Sequence, residues 1–207
     1  MVRARNRAAL CSPRLEAFEG WAIQVATGPL HELEFLSPVK RAFMELKQQL
    51  VIPRAVEAVW QALNDPEMLQ HSLPGCQQFE QTGDNAYDMT VSAKIGPVKA
   101  TFKGAIALQN LNPPFSYEIS GEGRGGVAGF AKGGAKVSLE AVTHCGLPAT
   151  QLSYSVEAAV GGKIAQLGGR LIQGAARKMA QDFFTQFVRR LCDDETLDLV
   201  IETIETP

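Results

Sequence analysis

A chain of 207 residues, 45% apolar and 20% charged, has room for one domain and is too ordinary in composition for a disordered, collagenous or membrane-spanning class. No apolar run approaches the roughly 20 residues that cross a bilayer, and a body of about 150 residues folds without a disulfide or a metal. The four cysteines, Cys11, Cys76, Cys145 and Cys192, lack zinc spacing and read as reduced thiols of a cytoplasmic protein.

Charge divides the chain into three: residues 1–43 carry a net +2, residues 44–191 carry +2 and residues 192–207 carry −6. Nucleic acid is disfavoured as a partner, because the balance is near neutral and no element interleaves basic with aromatic residues.

In the first segment Ser12-Pro13 can open a helix with Leu15, Phe18, Ala22 and Val25 on one face, ended by Thr27-Gly28-Pro29. Glu16 and Glu19 interrupt any secretory apolar core, so export is not expected. Met44 is the expected natural start, with residues 1–43 an extension outside a domain of residues 44–191.

From Met44 the period becomes two. Leu46, Leu50 and Ile52 share one face of a strand that ends at Pro53, where a helix carrying Val56, Val59, Trp60 and Leu63 begins. Asn64-Asp65-Pro66 closes that helix and opens a second, through about Ser72.

Strands follow. Tyr87, Met89, Val91, Ala93 and Ile95 alternate with polar neighbours, Gly96-Pro97 turns the chain, and Val98, Ala100, Phe102, Ile106 and Leu108 alternate again. The pattern continues at Phe115, Tyr117 and Ile119, at Ala135, Val137 and Leu139, and at Leu152, Tyr154, Val156, Ala158 and Val160. Residues 163–191 then repeat apolar positions at Ile164, Leu167, Leu171, Ala175, Met179 and Phe183, a long helix. An α+β fold follows: a curved antiparallel sheet of about seven strands wrapped on a C-terminal helix, with two short helices after the first strand.

A sheet gripping a helix leaves space between them for a hydrophobic small molecule. Phe102, Tyr117, Tyr154, Leu167 and Leu171 are its candidate lining. The hydroxyls of Tyr87, Tyr117 and Tyr154 could orient a ligand carbonyl, or these tyrosines are ordinary core residues. The glycines of residues 121–135 bend the sheet, or form a mobile rim around Phe130 at the mouth. Gly121, Gly123 and Gly126 formally match GxGxxG, but no parallel βαβ unit surrounds them, so a dinucleotide is not expected.

Catalysis is not expected either. His31, His71 and His144 fall outside the inferred pocket positions, and alternation points Glu118, Glu122 and Glu157 away from the apolar face.

Four motifs together carry a resemblance: Asn64-Asp65-Pro66-Glu67 leading to Leu73-Pro74-Gly75-Cys76; Ile95-Gly96-Pro97-Val98; GEGRGGVAGFAKGGA over residues 121–135; and GGKIAQLGGRLI over residues 161–172. Residues 44–191 thereby resemble the carbon monoxide dehydrogenase G-subunit family, within the helix-grip (SRPBCC, START-like) superfamily. The resemblance implies a non-catalytic accessory protein that associates a molybdenum hydroxylase of the aerobic carbon monoxide dehydrogenase type with the cytoplasmic membrane. It implies no covalent cofactor, and a quinone or lipid as the bound molecule. Two rivals stay open: an assembly factor with an empty pocket, and a helix-grip enzyme of cyclase or dehydratase type.

Two charged features bear on partners. Lys163, Arg170 and Arg177 recur every seven residues on the long helix, as a solvated face or as a stripe for peripheral contact with anionic lipid. The tail carries Leu197, Val200, Ile201 and Ile204 amid six acids, which suggests a short amphipathic helix or a disordered end.

Overall fold

Alternating apolar residues become strands when a second layer covers one face, and here they build a single antiparallel sheet. The computed structural model describes residues 41–197 and 199–204; the helix expected around Ser12, and His31, lie outside them. Strand β1 (Arg41–Ile52) leads into helices α1 (Val56–Leu63) and α2 (Pro66–Ser72). Six strands follow: β2 (Cys76–Gly83), β3 (Ala86–Ile95), β4 (Val98–Asn112), β5 (Ser116–Arg124), β6 (Phe130–His144) and β7 (Leu147–Gly161). Helix α3 (Gly169–Cys192) crosses the sheet, and a last short strand, β8 (Ile201–Thr203), ends the described chain. The spatial order is β2-β3-β4-β5-β6-β7-β1-β8, so the first strand closes beside the seventh.

The first strand already runs at Arg41, where Arg41, Ala42 and Phe43 pair with Gly161, Val160 and Ala159. A boundary at residue 43 therefore falls inside β1. Its inward face is formed by even-numbered residues, and Ala42 extends that face beyond Met44, too short a continuation to show as periodicity. Asp65 caps α2 by accepting from the backbone N–H of Glu67 at 2.9 Å, with Pro66 at its first position, as the sequence chemistry dictates.

The long helix starts six residues later than its apolar spacing suggests. Gly168 adopts φ 87°, a left-handed conformation that separates a 3-10 turn (Ala165–Leu167) from α3. That break resets the helical phase. The buried face is Ile172, Phe184, Phe187 and Val188, with Ala180 and Leu191 packed beside it. The expected face does not hold, since Leu171 is 52% exposed and Met179 36%. Lys163 precedes α3, so it shares no helical stripe with Arg170 and Arg177.

Beyond α3 the described residues of the tail form no helix; turns and an extended run lead to β8. Asp193, at φ 53°, ends α3; Arg189 Nε then donates to Leu197 O at 3.2 Å and Gln181 Nε2 to Leu199 O at 3.3 Å. Gln48, Gln49 and Leu50 of β1 pair with Thr203, Glu202 and Ile201 of β8. Leu197, Leu199 and Ile201 alternate at period two and pack against the main core, so the open edge of β1 converts a helical-looking pattern into a strand.

The main core lies where α1 covers β6 and β7 and α3 covers β1, around Leu50, Ile52, Val59, Leu152, Phe187 and Val188. A second cluster, Ala128, Val160, Ile164 and Ile172, closes the other end beneath the start of α3.

Candidate ligand-binding site

Between the two clusters the inward side chains shrink row by row. Strand register places Tyr117, Val137, Tyr154 and Gln48 in one row across β5, β6, β7 and β1. The next row is Ile119, Ala135, Val156 and Leu46, and the next Gly121, Gly133, Ala158 and Met44. On β4, Gly104 faces Gly123 and Ile106 faces Gly121. Loss of side-chain volume along these rows hollows out the concave face, which holds a cavity of about 300 Å³.

Met89, Phe102, Ile106, Ile119, Ala135 and Val156 are among its lining residues, together with these glycines. No inward strand position of that lining bears a charge or a hydroxyl. The neighbouring charges alternate to the convex side, where Lys132 meets Glu122 at 3.9 Å and Lys136 meets Glu118 at 3.6 Å. The surface is therefore suited to an uncharged, apolar molecule.

The same glycines let the sheet bend. A Cβ on Gly104 would collide with the carbonyl oxygen of Glu122, and one on Gly133 with that of Glu157, so adjacent strands approach too closely there for any side chain.

Of the five candidate lining residues and Phe130 at the expected mouth, Phe102 lies on the cavity wall. Tyr117 and Tyr154 sit one row beyond it, in the core. The Tyr117 ring meets Trp60 edge-on with centroids 5.5 Å apart, and burial, with a smaller effect from Tyr87, holds its phenol far above the usual range. Tyr154 packs on Phe184 at 5.1 Å and donates its hydroxyl to Gln48 Oε1 at 2.6 Å; burial pushes its phenol up to about 12. Burial keeps both phenols protonated, and both rings are engaged in packing. Gln48, missed in the sequence because glutamine is usually exposed, is buried on the core face and also donates to Thr203 Oγ1 at 3.4 Å.

Phe130 points the other way. It has the opposite strand parity to Ala131 and Gly133, and its ring lies against the Cα of Gly161 on the convex face. Leu167 is half-buried in the 3-10 turn and Leu171 is exposed, both consequences of the late start of α3. The parity of Ala131, Gly133 and Ala135 with Val137 was the available signal for the lining of β6. His71 lies exposed on α2 and His144 at the far end of β6. An open groove of about 410 Å³ lies among Lys47, Ser116, Ser138, Ser153 and Ile204 and also touches Tyr117 and Tyr154; its lining mixes charged and hydroxyl groups with apolar surface, which suits an apolar ligand less well than the concave face does.

Residues 49–192 match the model of the family described as the carbon monoxide dehydrogenase G-subunit, CoxG. The chain belongs to that family. The matched stretch of this CoxG family member takes in α1, α2, the glycine-bearing strands and α3, and ends where the tail begins. Among solved structures, the chain is similar to a conserved protein from Geobacillus kaustophilus, with 29% identity, a TM-score of 0.68 and coverage of 72% of this chain and 96% of that one. An uncharacterised protein from Rhizobium leguminosarum aligns with 10% identity and a TM-score of 0.54, over 74% of this chain and 99% of that one. The ZhuI aromatase/cyclase from Streptomyces sp. R1128 aligns with 10% identity and a TM-score of 0.51, over 72% and 94%. These last two establish the helix-grip fold alone. No match was found among curated proteins.

Proposed function

We propose that this CoxG family member is a non-catalytic accessory protein that takes up an apolar molecule, a quinone or a comparable isoprenoid lipid, on the glycine-floored concave face. The single observation that carries this reading is the cavity of about 300 Å³ whose inward lining is uncharged and without hydroxyls. A quinone fits such a surface because its ring is uncharged and its tail is wholly apolar. Family membership supports carbon monoxide dehydrogenase, a molybdenum hydroxylase, as the enzyme it serves.

Contact with the cytoplasmic membrane belongs to the same reading, as a peripheral encounter. Among the described residues, no helix is long and apolar enough to cross a membrane. The end of the molecule where α3 begins presents Val127, 84% exposed, and Leu171, with exposed Arg124, Lys163 and Arg170 around them. Apolar tips among bases suit an anionic lipid surface.

Titration with a water-soluble, short-chain quinone, followed by tryptophan emission, tests the uptake. A saturable change is expected. Emission that falls only linearly with quinone, at the rate set by collisions in solution, would overturn the reading.

A further inference from the structure

Four glycines face the cavity from β4, β5 and β6, and at three of them a Cβ would be crowded. Gly104 and Gly133 have carbonyl oxygens of the neighbouring strand where a Cβ would go. A Cβ on Gly121 would lie 2.8 Å from Ile106 Cγ2 and 3.1 Å from Ala105 O. Gly123 is different. Its backbone is not in the left-handed region, and a Cβ there would meet nothing nearer than Lys103 O at 3.8 Å, then Gly104 Cα and Phe102 Cβ at 4.0 Å, which is ordinary contact.

A glycine in a strand interior costs stability, because it loses more backbone freedom on folding than alanine and contributes no side-chain packing. Gly123 has no steric reason to be one. Its strand parity directs a side chain to the concave face, opposite to Glu122 and Arg124, and its cross-strand neighbours there are Gly104 and Ala131. Strands lie about 4.8 Å apart and same-face residues about 7 Å apart along a strand, so these small residues with Gly121 and Gly133 leave a patch of bare peptide roughly 10 Å by 7 Å. Phe102 stands at its border.

We propose that Gly123 is the position that sets how bulky a ligand the cavity accepts: the missing side chain makes room for a flat, uncharged ring laid on the peptide surface beside Phe102. The inference rests on the uptake of an apolar molecule proposed above.

The test uses the full chain and N-phenyl-1-naphthylamine, an uncharged fluorescent ring probe, with Gly123→Ala, Gly123→Leu and the convex-face control Lys136→Leu. Wild type and Lys136→Leu are expected to bind alike. Gly123→Ala should bind several-fold more weakly and Gly123→Leu at least about tenfold more weakly, in line with the effect of misplaced methyl groups in apolar pockets. Both should melt at or above the wild-type temperature, since a side chain compatible with the strand replaces glycine. A purely structural glycine would move the melting temperature down and leave probe affinity per folded molecule unchanged. If wild type binds and the Gly123 variants bind within twofold of it, the role of Gly123 is overturned while uptake stands. Failure of wild type to bind the probe at all removes both. Should Gly123→Leu not fold, Gly123→Ala decides on the same criterion.

Discussion

Phe187→Ala should destabilise the protein by about 3–5 kcal/mol, whereas Leu171→Ala should change it by no more than about 0.5 kcal/mol. Phe187 is 0% exposed, stacks on Phe183 with ring centroids 5.8 Å apart, and lies in the cluster that joins α3 to β1, β7 and α1. Its removal leaves a cavity that rigid strands on one side cannot fill. Leu171 lies in the first turn of the same helix with half its surface in water. Denaturant unfolding of the two variants measures the contrast. Equal losses would mean that α3 is rotated from the phase set at Gly168.

Truncation after Glu195 should cost about 2–4 kcal/mol, a large effect for a segment that composition alone marks as an acidic appendage. Leu197, Leu199 and Ile201 each remove apolar surface from water against the core, at roughly 25 cal/mol per Å². Ile204 N–H donates to Lys47 O at 3.0 Å, and Gln49 Nε2 to Glu202 at 2.9 Å. Ordering these residues costs backbone entropy, which is why the net figure is below the sum of the burials. Without β8 the edge of β1 at Gln48–Leu50 is left open, so self-association at high concentration is also expected. The checks are thermal unfolding and sedimentation of the truncated chain; a melting temperature unchanged to within about 2 °C would mean that the tail does not pack.

What the sequence made legible was whatever follows from local period. The pattern from Tyr87 to Val160 placed five strands and their inward faces, because every second residue meets the same layer. Asp65-Pro66 fixed the start of α2 for a reason confined to one turn. The start of α3 was not legible in the same way: the residues from Lys163 to Leu167 keep an apolar helical spacing, and only the conformation of Gly168 separates them from the helix. Leu167 and Leu171 were misplaced for that one reason.

Phe130 is a different kind of case, since parity with Val137 already assigned it to the convex face. The tail was illegible because its strand depends on a partner: Leu197, Leu199 and Ile201 read as period two once the free edge of β1 is known to lie beside them. Tyr117 and Tyr154 belong to the inward face as read, but whether an inward residue lines space or fills it depends on what lies above. Here Trp60 and Phe184 lie above them, while the glycine rows beside them are bare.

The central claim is that an apolar molecule occupies the concave face over the glycine rows. Methyl-labelled protein titrated with a short-chain quinone tests it most directly by nuclear magnetic resonance. Saturable shifts are predicted for the methyls of Ile106, Ile119 and Val156, which line the cavity, with Leu152 and Val188 of the main core unmoved. Shifts confined to Val51 and Leu147, exposed at the far end of the sheet, or no saturable shift at any methyl, would contradict the account.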